Sequence, residues 1–81
     1  MKKIGKVTHY YGNIGVAIIE LSGKLAVGDK IKFQAGKNEL EQTVESMQIE
    51  HENIDSAKKG DVIGLKVGEK IGESAEVYLV E

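Results

Sequence analysis

The sequence has no cysteine, no proline and no arginine among its 81 residues. Because cysteine is absent, neither disulfide bonds nor thiolate-bound metals can support the core. No apolar run approaches about 18 residues, so a membrane-spanning helix is excluded and no membrane partner is expected. The first residues, MKKIGKVTHYYG, have a basic start but lack the apolar stretch of a signal peptide. We therefore expect a cytoplasmic protein.

The absence of arginine leaves lysine as the only strong base, with eleven copies. Lysine binds phosphate as a point charge but lacks the forked group that recognises guanine, so sequence-specific duplex binding is not expected. The charges are also divided along the chain: residues 1–37 carry seven lysines and two acids, and residues 38–81 carry four lysines and eleven acids. Such a division is typical of a face for nucleic acid or for an acidic partner, unless the fold mixes the two halves on one solvated surface.

Glycine and β-branched residues indicate an all-β fold. Ten glycines separate short segments rich in isoleucine, valine and threonine, a pattern typical of strands joined by tight turns. A single domain over residues 1–81 is too small to enclose a deep substrate cavity. The predicted strands cover six segments: residues 2–11, 15–21, 30–35, 39–51, 62–67 and 75–80.

The second of these strands, GVAIIEL, is apolar on both faces. It is therefore either covered on both sides or changes face at a bulge. Five to six strands without a long helix fit a small closed barrel, because closure removes exposed sheet edges.

Residues 39–65 form the longest predicted unit, a strand, a tight turn and a returning strand. The apolar positions of the first strand change parity between Val44 and Met47, which predicts a bulge near Glu45–Ser46. One short helical turn is predicted near residues 54–59, with a cap at Asn53 or Asp55 and an end at Gly60.

No motif for catalysis or for a cofactor is present. Three Gly-Lys pairs lack the other residues of a phosphate-binding loop, so no GTP site is expected. His9 and His51 would form a metal site only if the fold brought them together, and solvated histidines are the alternative. The four serines lack the G-x-S-x-G elbow of a nucleophile. We therefore expect no enzyme activity, no metal and no cofactor.

Tyr10 and Tyr11 follow the lysines of the first strand, and strand alternation points one of the two rings outward. An exposed aromatic ring beside lysines is a minimal device for stacking a single-stranded base over a phosphate backbone. The alternative is that both rings cover the open end of the barrel.

Several stretches carry a resemblance to known families. They are IGKV (4–7), GVA (15–17), LAVGDKI (25–31), QTVESM (42–47), AKKGDVIGL (57–65) and AEVYLV (75–80). Together they resemble the second-domain β-barrel of the translation GTPases, which include elongation factor Tu and initiation factor two. The last stretch also resembles stand-alone translation elongation factor-like proteins and the C-terminal barrel of the collagenase-like peptidase family. The resemblance implies a six-stranded Greek-key barrel of the translation-protein type.

The GTPase and peptidase catalytic domains of those families are absent, so the resemblance implies neither GTP hydrolysis nor proteolysis. It implies a non-catalytic, stand-alone module that binds ribosomal or transfer RNA, or a protein of the translation apparatus. The predicted contact residues are Lys2, Lys3, Lys6, Tyr10, Tyr11, Lys30 and Lys32. The alternative hypothesis is a protein-interaction module that docks on a separately encoded RNA-modifying or peptidase-like enzyme.

Overall fold

A computed structural model of the chain describes residues 2–80. Its ten strands are β1 (Lys2–Tyr11), β2 (Val16–Leu21), β3 (Leu25–Ala26), β4 (Lys30–Ala35), β5 (Asn38–Thr43), β6 (Met47–Ile49), β7 (Glu52–Ile54), β8 (Ser56–Ala57), β9 (Val62–Lys66) and β10 (Glu76–Leu79). The all-β class predicted from the sequence is confirmed. Within residues 2–80 there is no helix of the length and apolarity needed to cross a membrane.

Eight strands form one antiparallel sheet in the order β5-β4-β10-β1-β2-β9-β6-β7, and β3 pairs with β8 in a second sheet. The edge strands β5 and β7 do not pair with each other, so the predicted closed barrel of six strands is wrong. Val44, which follows β5, stays beside the segment that precedes β4. Its N–H donates to the carbonyl of Asp29 (2.8 Å) and its carbonyl accepts from Gly28 (2.9 Å). Because Lys30 pairs with Thr43, these two bonds carry the β4–β5 pairing one residue beyond the end of β5.

The predicted bulge near Glu45–Ser46 lies at the same place. Val44 and Met47 are both buried, with 1% and 0% of their surface exposed, so the predicted change of parity is confirmed. The change occurs in an irregular link over residues 44–46 and not in a bulge within one continuous strand. An interrupted strand absorbs the extra residue as a bulge would.

The predicted helical turn near residues 54–59 is wrong. The carbonyl of Asp55 accepts a hydrogen bond from the N–H of Val27 at 2.8 Å, which holds this segment extended between β7 and β8. Of the predicted helical turn, only its expected end at Gly60 is found, as part of a different turn. The carboxylate of Asp61 accepts from the N–H of Lys58 at 2.9 Å and closes a turn in which Gly60 adopts a φ of 92°.

The interior of the described chain is apolar throughout. Seventeen hydrophobic side chains are buried, and no polar or charged side chain of residues 2–80 is buried with them. Burial of a large aliphatic side chain contributes about 1.5–3 kcal/mol, so this cluster is the main stabilising feature of a small domain. A packed apolar interior has no place for a polar site, and a function must be sought on the surface.

Candidate interaction surface

Four of the predicted contact lysines lie on one outer surface formed by β1, β10 and β4. A register shift in β1 just after Lys3 keeps Lys6 on the same side of the sheet. Tyr78 lies beside Lys3 on one side and beside Lys32 on the other, and Lys30 shares the face of Lys32 because the two are two residues apart. We call these five residues the lysine face.

Acidic residues from the second half of the chain form ion pairs with three of the four lysines of the lysine face. The ion pairs are Lys3–Glu76 at 3.5 Å, Lys30–Glu41 at 4.0 Å and Lys32–Glu39 at 3.0 Å. The hydroxyl of Tyr78 also donates a hydrogen bond to Glu76, and this bond, followed by the charge of Lys3, lowers the pKa of Glu76. The fold therefore mixes the two halves of the chain on one solvated surface.

The two predicted tyrosines lie apart from the lysine face. Tyr11 is five residues beyond Lys6 on β1, a distance of about 16 Å at 3.3 Å per residue. Its ring is 49% exposed and stacks on the ring of His9, with the two centroids 5.9 Å apart. Tyr10 packs half-buried against the core, and Lys2 is exposed at the start of β1. The structure thus brings four of the predicted lysines together, but it places Tyr10 and Tyr11 elsewhere. A role of the predicted lysines and tyrosines in RNA binding stays a prediction.

The histidines lie in different parts of the structure. His9, on β1, has its Nδ1 3.1 Å from Oε2 of Glu73, and both side chains are largely exposed. His51 lies in the turn between β6 and β7. Within residues 2–80 no three histidine or acidic side chains are placed to hold a metal ion.

An apolar groove of about 620 Å³ lies on the outer face of β2 and β9. It is lined by three of the four large hydrophobic side chains that are exposed in the described chain: Ile14 (66%), Val62 (51%) and Tyr11 (49%). Val16 and Ile18 of β2, both half-buried, line it as well. We call this surface, defined by these five residues, the β2–β9 groove. Three of the four exposed large hydrophobic side chains therefore lie together here, which makes the groove a candidate interaction site.

Gly64 lies on the floor of the β2–β9 groove. On β9 it is paired with Ile18 of β2 on one side and with Gln48 of β6 on the other. A Cβ atom at this position would lie 3.4 Å from the side chain of Val16 and 3.6 Å from that of Ile18. Both are ordinary contact distances, so a methyl group fits at this position without displacing its neighbours. The missing side chain is what leaves space beside the apolar side chains of β2.

The sequence contained a signal for this groove. β2 is apolar on both faces, which predicted either a cover on both sides or a bulge. Its pairing with β9 runs in regular register, so the face change by a bulge is wrong. Ala17 and Ile19 enter the core, while Val16 and Ile18 point the other way and remain half-exposed. No element within residues 2–80 packs over this outer apolar face of β2.

The hairpin between β6 and β7 contributes a strained turn to the rim of the groove. Ile49 pairs with Glu52, so the turn consists of Glu50 and His51, with φ values of 51° and 67°. Two consecutive positive φ values define a turn in which Asn-Gly is favoured, because a larger side chain is strained there. Strained backbone of this kind is concentrated at functional sites.

Comparison with known proteins relates the chain to proteases. No protein-family model matches it. It is 40% identical over 81 residues to an uncharacterized protease of Methanocaldococcus jannaschii, with 98% of this chain and 20% of the protease covered. It is 34% identical over 77 residues to a collagenase of Porphyromonas gingivalis, with 93% of this chain and 21% of the collagenase covered. The chain spans about a fifth of the length of these curated relatives.

Solved structures show the same fold. The C-terminal domain of a Geobacillus thermoleovorans protein, described as a U32 peptidase, superposes with a TM-score of 0.91 at 18% identity, covering 99% of this chain and 93% of that chain. Its selenomethionine variant superposes with a TM-score of 0.89 at 19% identity, covering 95% and 98%. The fold is that of a U32 peptidase C-terminal domain. These findings support the collagenase-like part of the resemblance and do not support the translation GTPase part.

Proposed function

We propose that this chain is a non-catalytic interaction module that docks on a peptidase-like catalytic chain. The observation that carries the proposal is the β2–β9 groove, an apolar outer face that no described element covers. The proposal is also supported by the relatives of this chain, which are a protease and a collagenase about five times as long. A face of this kind is expected where a domain of about 80 residues packs against a larger one.

The groove is large enough to anchor a partner but not to hold it alone. Complete burial of Ile14, Val62 and Tyr11, which are about half exposed, contributes on the order of 1–2 kcal/mol each. A micromolar complex requires about 8 kcal/mol. The difference must come from polar and charged groups around the groove, as in most interfaces with an apolar centre and a polar rim.

A non-catalytic role is supported by the surface chemistry. His9, the histidine with a carboxylate partner, is exposed and bonded to Glu73 in the open, where water has free access. General acid–base catalysis and nucleophile activation both depend on groups held in a water-excluded site. Catalysis is therefore assigned to the partner chain in this proposal.

The RNA hypothesis has less support. Counterion release requires unpaired cations facing the phosphates, and three lysines of the lysine face already face glutamates at 3.0–4.0 Å. The aromatic ring at the centre of that face, Tyr78, is half-buried and bonded to Glu76. It is not free to stack on a base.

Binding to full-length peptidase-like chains encoded in the same genome tests the proposal. Each is purified and passed over the immobilised chain in a biolayer interferometry experiment, with nuclease present and at both low and high salt. We expect one of them to bind at high salt, because an apolar contact persists when surface charges are screened. An unrelated β-domain of similar size and charge is the control. Failure of every peptidase-like chain to bind at either salt concentration would rule the proposal out.

A further inference from the structure

The β2–β9 groove has a chemical character that restricts what it can bind. Resting on the proposed function, we infer that the groove receives an apolar segment of the peptidase-like chain that carries a lysine or arginine. Glu50 receives that cation at the rim. The inference goes beyond docking in general, because it names the contacting surface, the type of partner segment and the residue that selects it.

The first argument is the form of the groove. Its volume of about 620 Å³ is in the range of sites that enclose a few side chains of a partner. The floor is open at Gly64, and Val16 and Ile18 present methyl groups to the space above it. Ile14 and Val62 add further apolar surface, exposed by 66% and 51%. An apolar side chain that enters here replaces water on several surfaces at once.

The second argument is the charge around the groove. Among the residues that line it, the formal negative charges are those of Glu50 and Asp61, and His51 is the single residue that could carry a positive charge. Beyond the lining, Lys66 pairs with Val16 and Glu20 pairs with Val62 on the same outer face, so the acids still outnumber the lysine. The carboxylate of Asp61 already accepts a hydrogen bond from the backbone of Lys58. In residues 2–80 Glu50 has neither an ion pair nor a side-chain hydrogen bond. A partner with a cation therefore complements this rim, and an acidic partner is repelled.

The third argument is the position of Glu50 in the strained turn. Glu50 and His51 both hold positive φ values, at 51° and 67°, where a residue with a Cβ is disfavoured. The β6 pairing with β9 fixes the hairpin that carries the turn beside Gly64. Glu50 is thus attached to a fixed hairpin, so less conformational entropy is lost when it meets a cation.

The experiment repeats the interferometry with variants of this chain against the same full-length peptidase-like chains. Ile14→Ser and Val62→Ser remove apolar contacts from exposed positions, and Gly64→Val fills the floor. Each is expected to weaken binding by roughly tenfold or more, as for central interface residues. Glu50→Lys is expected to weaken binding more than Glu50→Gln does, because it adds repulsion to the loss of attraction.

Matched controls lie outside the groove. Val27→Ser alters the fourth exposed hydrophobic side chain, which is 42% exposed, and Glu69→Lys reverses an exposed acid on another loop. Both are expected to change affinity by no more than about twofold. If the wild-type chain binds and the groove variants bind equally well, this inference is overturned and the proposed function stands. If the wild-type chain binds no peptidase-like protein, both are overturned.

Discussion

The hydroxyl of Tyr78 donates a hydrogen bond to the carboxylate of Glu76, two residues earlier on β10. The bond lowers the pKa of Glu76 from its ordinary value of 4.5, with a further contribution from the charge of Lys3. The same bond raises the pKa of Tyr78 from its ordinary value of 10.0. The hydrogen bond therefore stabilises the ionised form of Glu76 and the neutral form of Tyr78, which are the forms present at neutral pH. This coupling can be measured.

We predict that the stability difference between the wild type and Tyr78→Phe depends on pH. A lowered carboxylate pKa contributes stability that is present above 4.5 and is lost as the pH falls through the lowered value. A raised tyrosine pKa contributes stability that is present below 10.0 and is lost as the pH rises through the raised value. Urea unfolding of both proteins across this range should give a constant difference at intermediate pH that shrinks at both extremes. A difference that does not vary with pH would show that the hydrogen bond is absent in solution.

The lysine face yields a prediction on RNA binding. Replacement of Glu39, Glu41 and Glu76 by glutamine leaves Lys3, Lys30 and Lys32 without their acidic partners, so affinity for single-stranded RNA should rise in the triple variant and depend more steeply on salt. The wild type should bind the same RNA weakly even at low salt. Filter binding with an unstructured oligonucleotide measures both. Tight, salt-sensitive binding by the wild type would instead support the RNA hypothesis.

Local patterns in the sequence predicted most of the strands but not their closure. Alternation placed β1, β4 and β9 to within one residue at each end, because their inward side chains enter the core. The sequence does not show which backbone groups meet across the fold. The hydrogen bonds of Val44 to Asp29 and Gly28, which extend the β4–β5 pairing, join residues at least 15 positions apart in the chain.

The sequence indicated only part of the β2–β9 groove and of the lysine face. The two-sided apolar pattern of β2 was apparent, but the sequence did not show that its outer face would lack a cover. Ile14 precedes β2 and Gly64 lies on β9, and nothing local in the sequence indicates that they meet beside β2. The lysines were predicted to act together from their positions in the first half of the chain. Their glutamate partners come from residues 39–76 and could be identified only once the register was known.

The turn at Glu50 and His51 gives a prediction in which stability and binding change in opposite directions. The double substitution Glu50→Asn with His51→Gly supplies the residue types that two positive φ values favour. We expect an increase in the free energy of unfolding of about 1 kcal/mol, measured by urea denaturation. Affinity for the peptidase-like chain should fall, because the carboxylate is lost. A double variant with unchanged stability would mean that the turn is not strained in solution.

Two isoleucines, one on β2 and one in the turn before it, distinguish a structural role from a binding role. Ile19 is fully buried, and Ile19→Ala should cost about 2–5 kcal/mol of a total stability that is only about 5–15 kcal/mol for a small domain. Ile14 is 66% exposed, and Ile14→Ala should change stability by no more than about 0.5 kcal/mol. Urea unfolding of both variants tests the pair. A large loss of stability in Ile14→Ala would make that side chain part of the fold, and the groove would then lose its most exposed contact for a partner.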